Sequence, residues 1–410
     1  MSKRALVPEI RLVTACCRWP PSPARDEAVR DAAAAITDWP RFLRVVRRHR
    51  VTGFVRASLS AAGVRLAVPV AFQLGRRADH LAKKNAALAT ESIAFQQLFD
   101  AAGMPAMVLK GAALARLAYG DAAIKEAQDI DLLVLPDQAE AAIAMLEARG
   151  YSLISPVPEV TIGPAQRHAL IRYRNEASMY HSGTGVPVDL HWALTDGPAF
   201  LPGVNAASPG QLVDIGAAES PVRTLGRDDL FVYLAVHGAL HSWGRIKWLA
   251  DFQALISREP AEEITRLYRH AQSAGAGRCA GQALLLSKRL LGLELPPGLA
   301  DELEGSSLMN RIADGALELM VGPDPEAEIP DRRFGTTLYT LAQLRLSPDW
   351  RYRGALLANS MFLIDDVLRV PLPPSLSFLY PILRLPLWVG RRIRQLGRSP
   401  VSPKAAPTRS

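Results

Sequence analysis

Two aspartates at the start of an apolar strand constrain this chain more than any other feature. Asp129 and Asp131 flank Ile130, and the apolar run continues to Leu135. Because side chains alternate along a strand, both carboxylates project from one face, roughly 7 Å apart along the backbone. Two such charges raise each other's pKa unless a cation neutralises them, and Mg²⁺ prefers oxygen ligands of this kind. The pair therefore predicts a metal site, against the alternative of acidic caps at a strand entrance.

Two further predicted strands carry residues that fit the same site. The run 106–109 predicts a short buried strand that ends at Lys110 and Gly111, where a helix follows. Glycine lets the backbone approach a phosphate closely, and the amides at a helix start favour anions. Downstream, 186–191 predicts the second strand of a hairpin, which carries a third acid, Asp189. Three carboxylates facing a glycine turn are typical of a two-metal phosphoryl-transfer site.

The order of the predicted elements indicates an α+β fold, with a small mixed sheet between N-terminal and C-terminal helical regions. Helical periodicity covers 41–99 and returns beyond Asp228, whereas the strands fall between 106 and 191. We expect four regions: an N-terminal helical region (1–84), a catalytic core (85–200), a C-terminal helical domain (201–370) and a basic Pro/Arg-rich tail (371–410).

The formal net charge of +8 is unevenly distributed along the chain. Eleven basic residues lie in 41–84 and seven between Arg384 and Arg409, so the remainder is net acidic. The first group predicts a solvated helical face or, alternatively, a site for an anionic acceptor. In 376–398, apolar residues next to basic ones predict either weak contact with a membrane surface or packing on the body of the protein. No motif indicates specific recognition of a nucleic acid.

Cysteine content and hydropathy exclude other classes of protein. Three cysteines, two of them adjacent, provide neither a disulfide framework nor the spacing of a zinc site. The first residues contain no long apolar segment typical of a secretory signal, and no run of 18 apolar residues occurs. These features predict a cytoplasmic protein.

Four segments of this chain together resemble a known family: VLKGAALARLAYG, QDIDLLV, PVDLHW and HGALHSWGRIKWLADFQALI. They are similar to the uncharacterised nucleotidyltransferase family of the polymerase-beta-like superfamily, over roughly residues 15–290. The resemblance implies magnesium-dependent transfer of a nucleoside monophosphate from a nucleoside triphosphate (NTP), such as ATP, to a hydroxyl acceptor. It further implies that Asp129 and Asp131 bind two Mg²⁺ ions. Asp189 would be the third ligand and would orient or deprotonate the acceptor hydroxyl.

The same resemblance implies a phosphate-binding turn and leaves alternatives open. Lys110 and Gly111 fall on that turn, and Lys125 stands where relatives often have arginine, whereas Ala112 replaces the usual serine. The acceptor would be a small molecule, a peptide or a protein, or an RNA end. The two departures leave room for a non-catalytic nucleotide- or partner-binding protein, and phosphotransfer to a small molecule is a third possibility.

Other polar and aromatic residues allow two interpretations each. His237 and His241 are four apart, which fits a zinc pair or, better, core histidines. The segment 243–248 carries Trp243, Arg245 and Trp248, which fit a nucleotide-binding cleft or helix packing. His191, two residues after Asp189, would tune the acidic site or have a structural role.

Overall fold

The computed structural model describes residues 6–387 apart from 123, 158, 196–198, 217–219, 323, 332–334 and 385. Five helices precede the sheet: α1 (Pro8–Cys16), α2 (Pro23–Ala34), α3 (Trp39–His49), α4 (Thr52–Ala61) and α5 (Val68–Ala101). Ser22 and Asp38 cap α2 and α3, because their side chains accept hydrogen bonds from backbone amides at the helix start. Proline in the first turn of α2 and α3 further fixes where these helices begin.

A five-stranded mixed sheet lies in the middle of the chain, with order β1-β2-β5-β4-β3. Its strands are β1 (Ala106–Val108), β2 (Ile130–Val134), β3 (Tyr151–Leu153), β4 (Glu176–His181) and β5 (Pro187–His191). Strands β2 and β5 pair in parallel, and the other neighbours are antiparallel. The helices between these strands are α6 (Gly111–Tyr119), α7 (Ala139–Ala148) and α8 (Pro164–Tyr173). The parallel pairing aligns Asp131 with Asp189 across the two central strands.

A two-stranded sheet of β6 (Gly210–Val213) and β7 (Val222–Leu225) leads into the C-terminal helices. These are α9 (Arg227–Leu240), α10 (Ile246–Ile256), α11 (Ala261–Ser273), α12 (Gly277–Leu286), α13 (Pro297–Gly305), α14 (Ser307–Val321), α15 (Gly335–Leu344), α16 (Trp350–Met361) and α17 (Ile364–Arg369). One π-helical turn, Ser287–Leu291, follows α12, and single 3-10 turns lie at Pro136–Gln138, Ile329–Asp331 and Pro374–Leu379.

Two buried apolar clusters form the interior. One joins the N-terminal and C-terminal helices and contains residues such as Phe42, Phe231 and Leu284. The other surrounds the sheet and includes Phe95 and Leu132. The first cluster is contributed by segments more than 200 residues apart in sequence, so the flanking helices pack on each other as well as on the sheet.

The α+β fold and the predicted strands are confirmed. The hairpin expected around residue 183 is formed by β4 and β5, and the strands expected near 106 and 130 are β1 and β2. Helix α5 runs without interruption across residue 84. The division into 1–84, 85–200, 201–370 and 371–410 stays a prediction.

The C-terminal tail is described only as far as residue 387. Within that part, the hydroxyl of the buried Tyr380 accepts a hydrogen bond from the amide of Leu372 and donates one to the carbonyl of Val370. Its ring packs against Tyr173 and Phe362. Tyr380 is therefore packed on the body of the protein, while the basic cluster from Arg391 onward lies outside the described residues. In the described part of the chain, no helix has both the length and the apolar character needed to cross a bilayer.

Candidate metal and nucleotide site

Asp129, Asp131 and Asp189 converge at one edge of the sheet. Asp131 and Asp189 are register partners on β2 and β5, and Asp129 directly precedes β2. One carboxylate oxygen from each lies within 4.8 Å of the others. Among the described residues, this is the one group of three or more acidic, histidine or cysteine side chains close enough to share a metal ion. Oxygen ligands at this spacing suit a hard divalent cation.

Asp131 is stabilised as a carboxylate by two basic neighbours. Lys110 Nζ lies 2.8 Å from Asp131 Oδ1, and His191 Nε2 lies 3.3 Å from the same oxygen. Burial by itself favours the neutral acid, but the charge of Lys110 and the contact with His191 hold the pKa of Asp131 well below its usual value. The imidazole of His191 also lies 3.0 Å from Glu176, and these carboxylates raise its pKa against the opposing effect of burial.

Asp189 has the opposite electrostatic environment. Burial and the nearby charge of Asp129 raise its pKa to about 6, although its Oδ1 accepts a hydrogen bond of 2.6 Å from Ser178 Oγ. A cation between the carboxylates would remove the repulsion that raises this pKa. Two neighbouring acids with pKa values shifted in opposite directions are the pattern expected where one group stays ionised and the other exchanges a proton.

The predicted glycine turn begins α6 beside the acids. Gly111 has φ +60°, a conformation that side-chain-bearing residues rarely adopt, and a Cβ added there would meet no atom within 4 Å. Lys110 is the residue that precedes the helix. Lys110 and Gly111 line the same cavity as the three carboxylates, so the N-terminal, positive end of the α6 dipole lies beside the acids.

Lys125 lies in the wall of the same cavity, but its ammonium group has a protein partner. Its Nζ lies 2.5 Å from Asp251 Oδ2, and Tyr119 donates a hydrogen bond of 3.0 Å to the other oxygen of Asp251. Both members of the ion pair are almost fully buried, with 4% and 2% of their side chains exposed. The pair ties the segment before Asp129 to α10. Direct contact of Lys125 with a nucleotide stays a prediction.

A cavity of about 420 Å³ extends from the acids, within the size range of small-molecule sites. Four aromatic side chains line one wall: Tyr233, His237, His241 and Trp248. Ring centroids of neighbours in this group lie 4.6 to 5.9 Å apart. Burial lowers the pKa of His237 well below its usual value, so its ring is neutral. This aromatic wall suits the face of a planar ligand.

The structure shows which interpretation applies to residues for which the sequence allowed two. Trp243 is fully buried and donates a hydrogen bond to Gln282, and Arg245 pairs with Glu328. Packing is therefore the right interpretation for these two, whereas Trp248 lines the cavity. The one potential metal-binding group among the described residues does not include His237 or His241.

Several cavity residues were missed by sequence reasoning. Arg50 and Lys247 contribute positive charge, and helices α15 and α16 contribute Tyr339, Gln343 and Tyr352. Lys247 stands next to Trp248 in the segment 243–248, for which a nucleotide-binding cleft was one interpretation of the sequence. Its place in that segment could have identified it as a cavity residue. Arg50 belongs to a run of basic residues in the sequence, and nothing local distinguishes it from its neighbours.

A second cavity of about 660 Å³ adjoins the first. Five residues line both spaces: Arg174, Asn175, Leu194, Thr195 and Phe200. This shared wall lies where β5 ends, since the amide of Trp192 donates a hydrogen bond to the carbonyl of Asn175. No aspartate or glutamate lines the second cavity within the described ranges, in contrast with the first.

Comparison with protein families agrees with this geometry. A family model described as uncharacterised nucleotidyltransferase matches residues 36–292, which include the sheet, the three aspartates, the glycine turn and the aromatic wall. The chain belongs to this nucleotidyltransferase family. It is accordingly a transferase, and the suspected resemblance is confirmed. No curated protein matches the chain. Helices α15 and α16 lie beyond the matched residues and still contribute to the cavity.

Proposed function

We propose that this nucleotidyltransferase moves a nucleoside monophosphate from an NTP to a hydroxyl of an acceptor molecule, with release of pyrophosphate. One observation carries the proposal: three carboxylates meet beside a glycine turn, in a cavity with an aromatic wall, in a chain of this family. ATP is the NTP with which we would begin, because the aromatic wall favours a large planar base.

Asp129, Asp131 and Asp189 are the proposed ligands of the metal. Their fit is supported by an all-oxygen donor set within 4.8 Å and by the repulsion that raises the pKa of Asp189. When bound, Mg²⁺ would neutralise the charge of the phosphates and of the departing pyrophosphate. The three carboxylates would hold the ion close to the α-phosphate, so positioning would supply much of the rate acceleration.

The remaining residues have separate proposed roles in the transfer. The acceptor oxygen forms a bond to the α-phosphorus while the bond from that phosphorus to the β-phosphate oxygen breaks, and Asp189 accepts the hydroxyl proton. Lys110 and Gly111 hold the phosphates at the start of α6. Lys125 adds positive charge to the cavity wall while Asp251 fixes its position. The second cavity, which adjoins the end of β5, is where we place the body of the acceptor.

A non-catalytic nucleotide-binding role is the second candidate, and the Lys110–Asp131 ion pair favours it. That contact compensates the charge of Asp131 without a metal ion. A protein that keeps the fold but not the chemistry would bind NTP and release no pyrophosphate. An acceptor is needed only for the transfer reaction, where it would be a small molecule, a peptide or a protein, or an RNA end.

The position of a radioactive label distinguishes these functions. With Mg²⁺ and water as a slow acceptor, α-labelled ATP is expected to give labelled AMP, and γ-labelled ATP is expected to give labelled pyrophosphate. Asp129→Asn and Asp131→Asn should abolish both products, whereas Asp137→Asn, an exposed acid after the far end of β2, should not. Release of orthophosphate with ADP would indicate phosphotransfer instead. Binding of ATP with no product under any condition would support the non-catalytic role.

A further inference from the structure

Arg50 and Lys247 reach the acidic cavity from opposite flanking regions of the chain. Arg50 follows the last residue of α3, and Lys247 is the second residue of α10. Both line the cavity that contains Asp129. Their charges lie close enough to affect each other, because Arg50 contributes to lowering the pKa of Lys247.

These two cations differ from their neighbours in having no carboxylate partner among the described residues. The other lysines and arginines that line the cavity each have a carboxylate partner: Lys110 pairs with Asp131 at 2.8 Å, Lys125 with Asp251 at 2.5 Å and Arg174 with Glu176 at 4.0 Å. The ammonium group of Lys247 donates a hydrogen bond of 3.1 Å to the carbonyl of Glu126. Only 8% of Lys247 is exposed, so water compensates little of its charge.

Both residues carry a cost that a bound anion would reduce. Burial and the nearby charge of Lys125 lower the pKa of Lys247 to about 7, because both disfavour its cationic form in the folded protein. Burial likewise lowers the pKa of Arg50, which ends α3 in a left-handed conformation with φ 55° and ψ 50°. Buried charge without a carboxylate partner tends to persist at ligand-binding positions.

We propose that Arg50 and Lys247 form an anion site for the terminal phosphates of the nucleotide. The identity of this ligand rests on the proposed function, whereas the affinity for a polyphosphate requires neither metal nor turnover. The two cations would supply the charge-assisted hydrogen bonds that a triphosphate needs at the end remote from the acceptor. Arg50 and Lys247 belong to regions that precede and follow the sheet in the sequence, so bound polyphosphate would contact both the N-terminal and the C-terminal helices.

Inorganic tripolyphosphate in the presence of EDTA is the probe that tests this site. Calorimetry should detect its binding to the wild-type chain, and Arg50→Asn and Lys247→Gln should each weaken binding by about tenfold or more. Asparagine tolerates the left-handed conformation, and glutamine can still donate to the carbonyl of Glu126, so both variants remove charge with little change in the fold. Lys83→Gln, which removes an exposed cation from α5, is the matched control and should bind normally.

Two further variants keep the test decisive. Lys247→Arg should retain tripolyphosphate binding, and Asp129→Asn should bind it at least as well as the wild type, because it removes a repulsive charge. Absence of binding to the wild-type chain, or equal affinity in Arg50→Asn, Lys247→Gln and Lys83→Gln, would overturn the anion site. Normal metal-free binding of tripolyphosphate, in a protein that turns over no NTP, would support the anion site and refute the proposed transfer reaction.

Discussion

Lys110 Nζ lies 2.8 Å from Asp131 Oδ1, inside the group of carboxylates proposed to bind metal. The lysine compensates a buried charge, and it also competes with any cation for the same oxygen. Removal of one member of a buried ion pair leaves the other uncompensated, which is more destabilising than the net strength of the pair. The stability of this site should therefore depend on whether a divalent ion is bound.

Lys110→Met should destabilise the protein by about 3 kcal/mol in EDTA, because the charge of Asp131 then retains only His191 as a basic neighbour. Saturating Mg²⁺ should restore a large part of that loss, since a metal ion would replace the lysine. Urea denaturation of the variant and of the wild type, with and without Mg²⁺, measures both effects.

Lys125→Met is the matched control, because the Lys125–Asp251 pair is also buried but involves none of the three proposed ligands. It should lose a similar amount of stability, and Mg²⁺ should not restore it. Recovery of both variants, or of neither, would contradict a metal site at Asp131.

The affinity for Mg²⁺ should increase as the pH rises through about 6. Burial and the charge of Asp129 raise the pKa of Asp189 to about 6, so below that value a proton occupies the carboxylate that the metal needs. Displacement of one proton predicts about a tenfold change in affinity per pH unit below pH 6. Calorimetric titrations at several pH values measure this slope, and Asp189→Asn should bind weakly with little pH dependence. A slope that Asp189→Asn leaves unchanged would assign the effect to another group.

Trp248→Ala should raise the KM for the NTP by about tenfold, with a smaller effect on kcat, because it removes a stacking surface from the aromatic wall. The comparison is with Trp243→Phe, at a fully buried position outside the cavity lining. That variant should lower the melting temperature and leave KM unchanged. Equal KM values for the two variants would argue against a base on this wall.

Local patterns in the sequence predicted much of the sheet but little of its electrostatics. The apolar run after Asp129 and the glycine of the α6 turn are local features, and both predicted elements occur in the structure. The register that aligns Asp131 with Asp189 depends on strands almost 60 residues apart, so the predicted strands placed Asp189 in the same site without giving its alignment with Asp131. Sequence periodicity identifies elements better than their partners.

The partners of charged residues are the least predictable part of the site. Lys125 pairs with Asp251, 126 residues away, and the sequence contains no signal for that contact. Tyr339 and Gln343 each donate a hydrogen bond of 2.8 Å to the carbonyl of Leu240, which brings α15 against the end of α9. Such contacts depend on how the helices pack against each other. Local sequence patterns do not determine that packing, because it depends on the complete fold.

Binding of Mn²⁺, used as a paramagnetic substitute for Mg²⁺, tests most directly whether the three aspartates hold a divalent metal. Electron paramagnetic resonance measures free Mn²⁺ as it is titrated with protein, and therefore counts bound ions independently of any acceptor. We predict saturable binding to the wild type and to Asp137→Asn, Mg²⁺ competition for the same sites, and loss of binding in Asp129→Asn and Asp131→Asn. Undiminished Mn²⁺ binding in both of the last two variants, with their folds intact, would contradict the account.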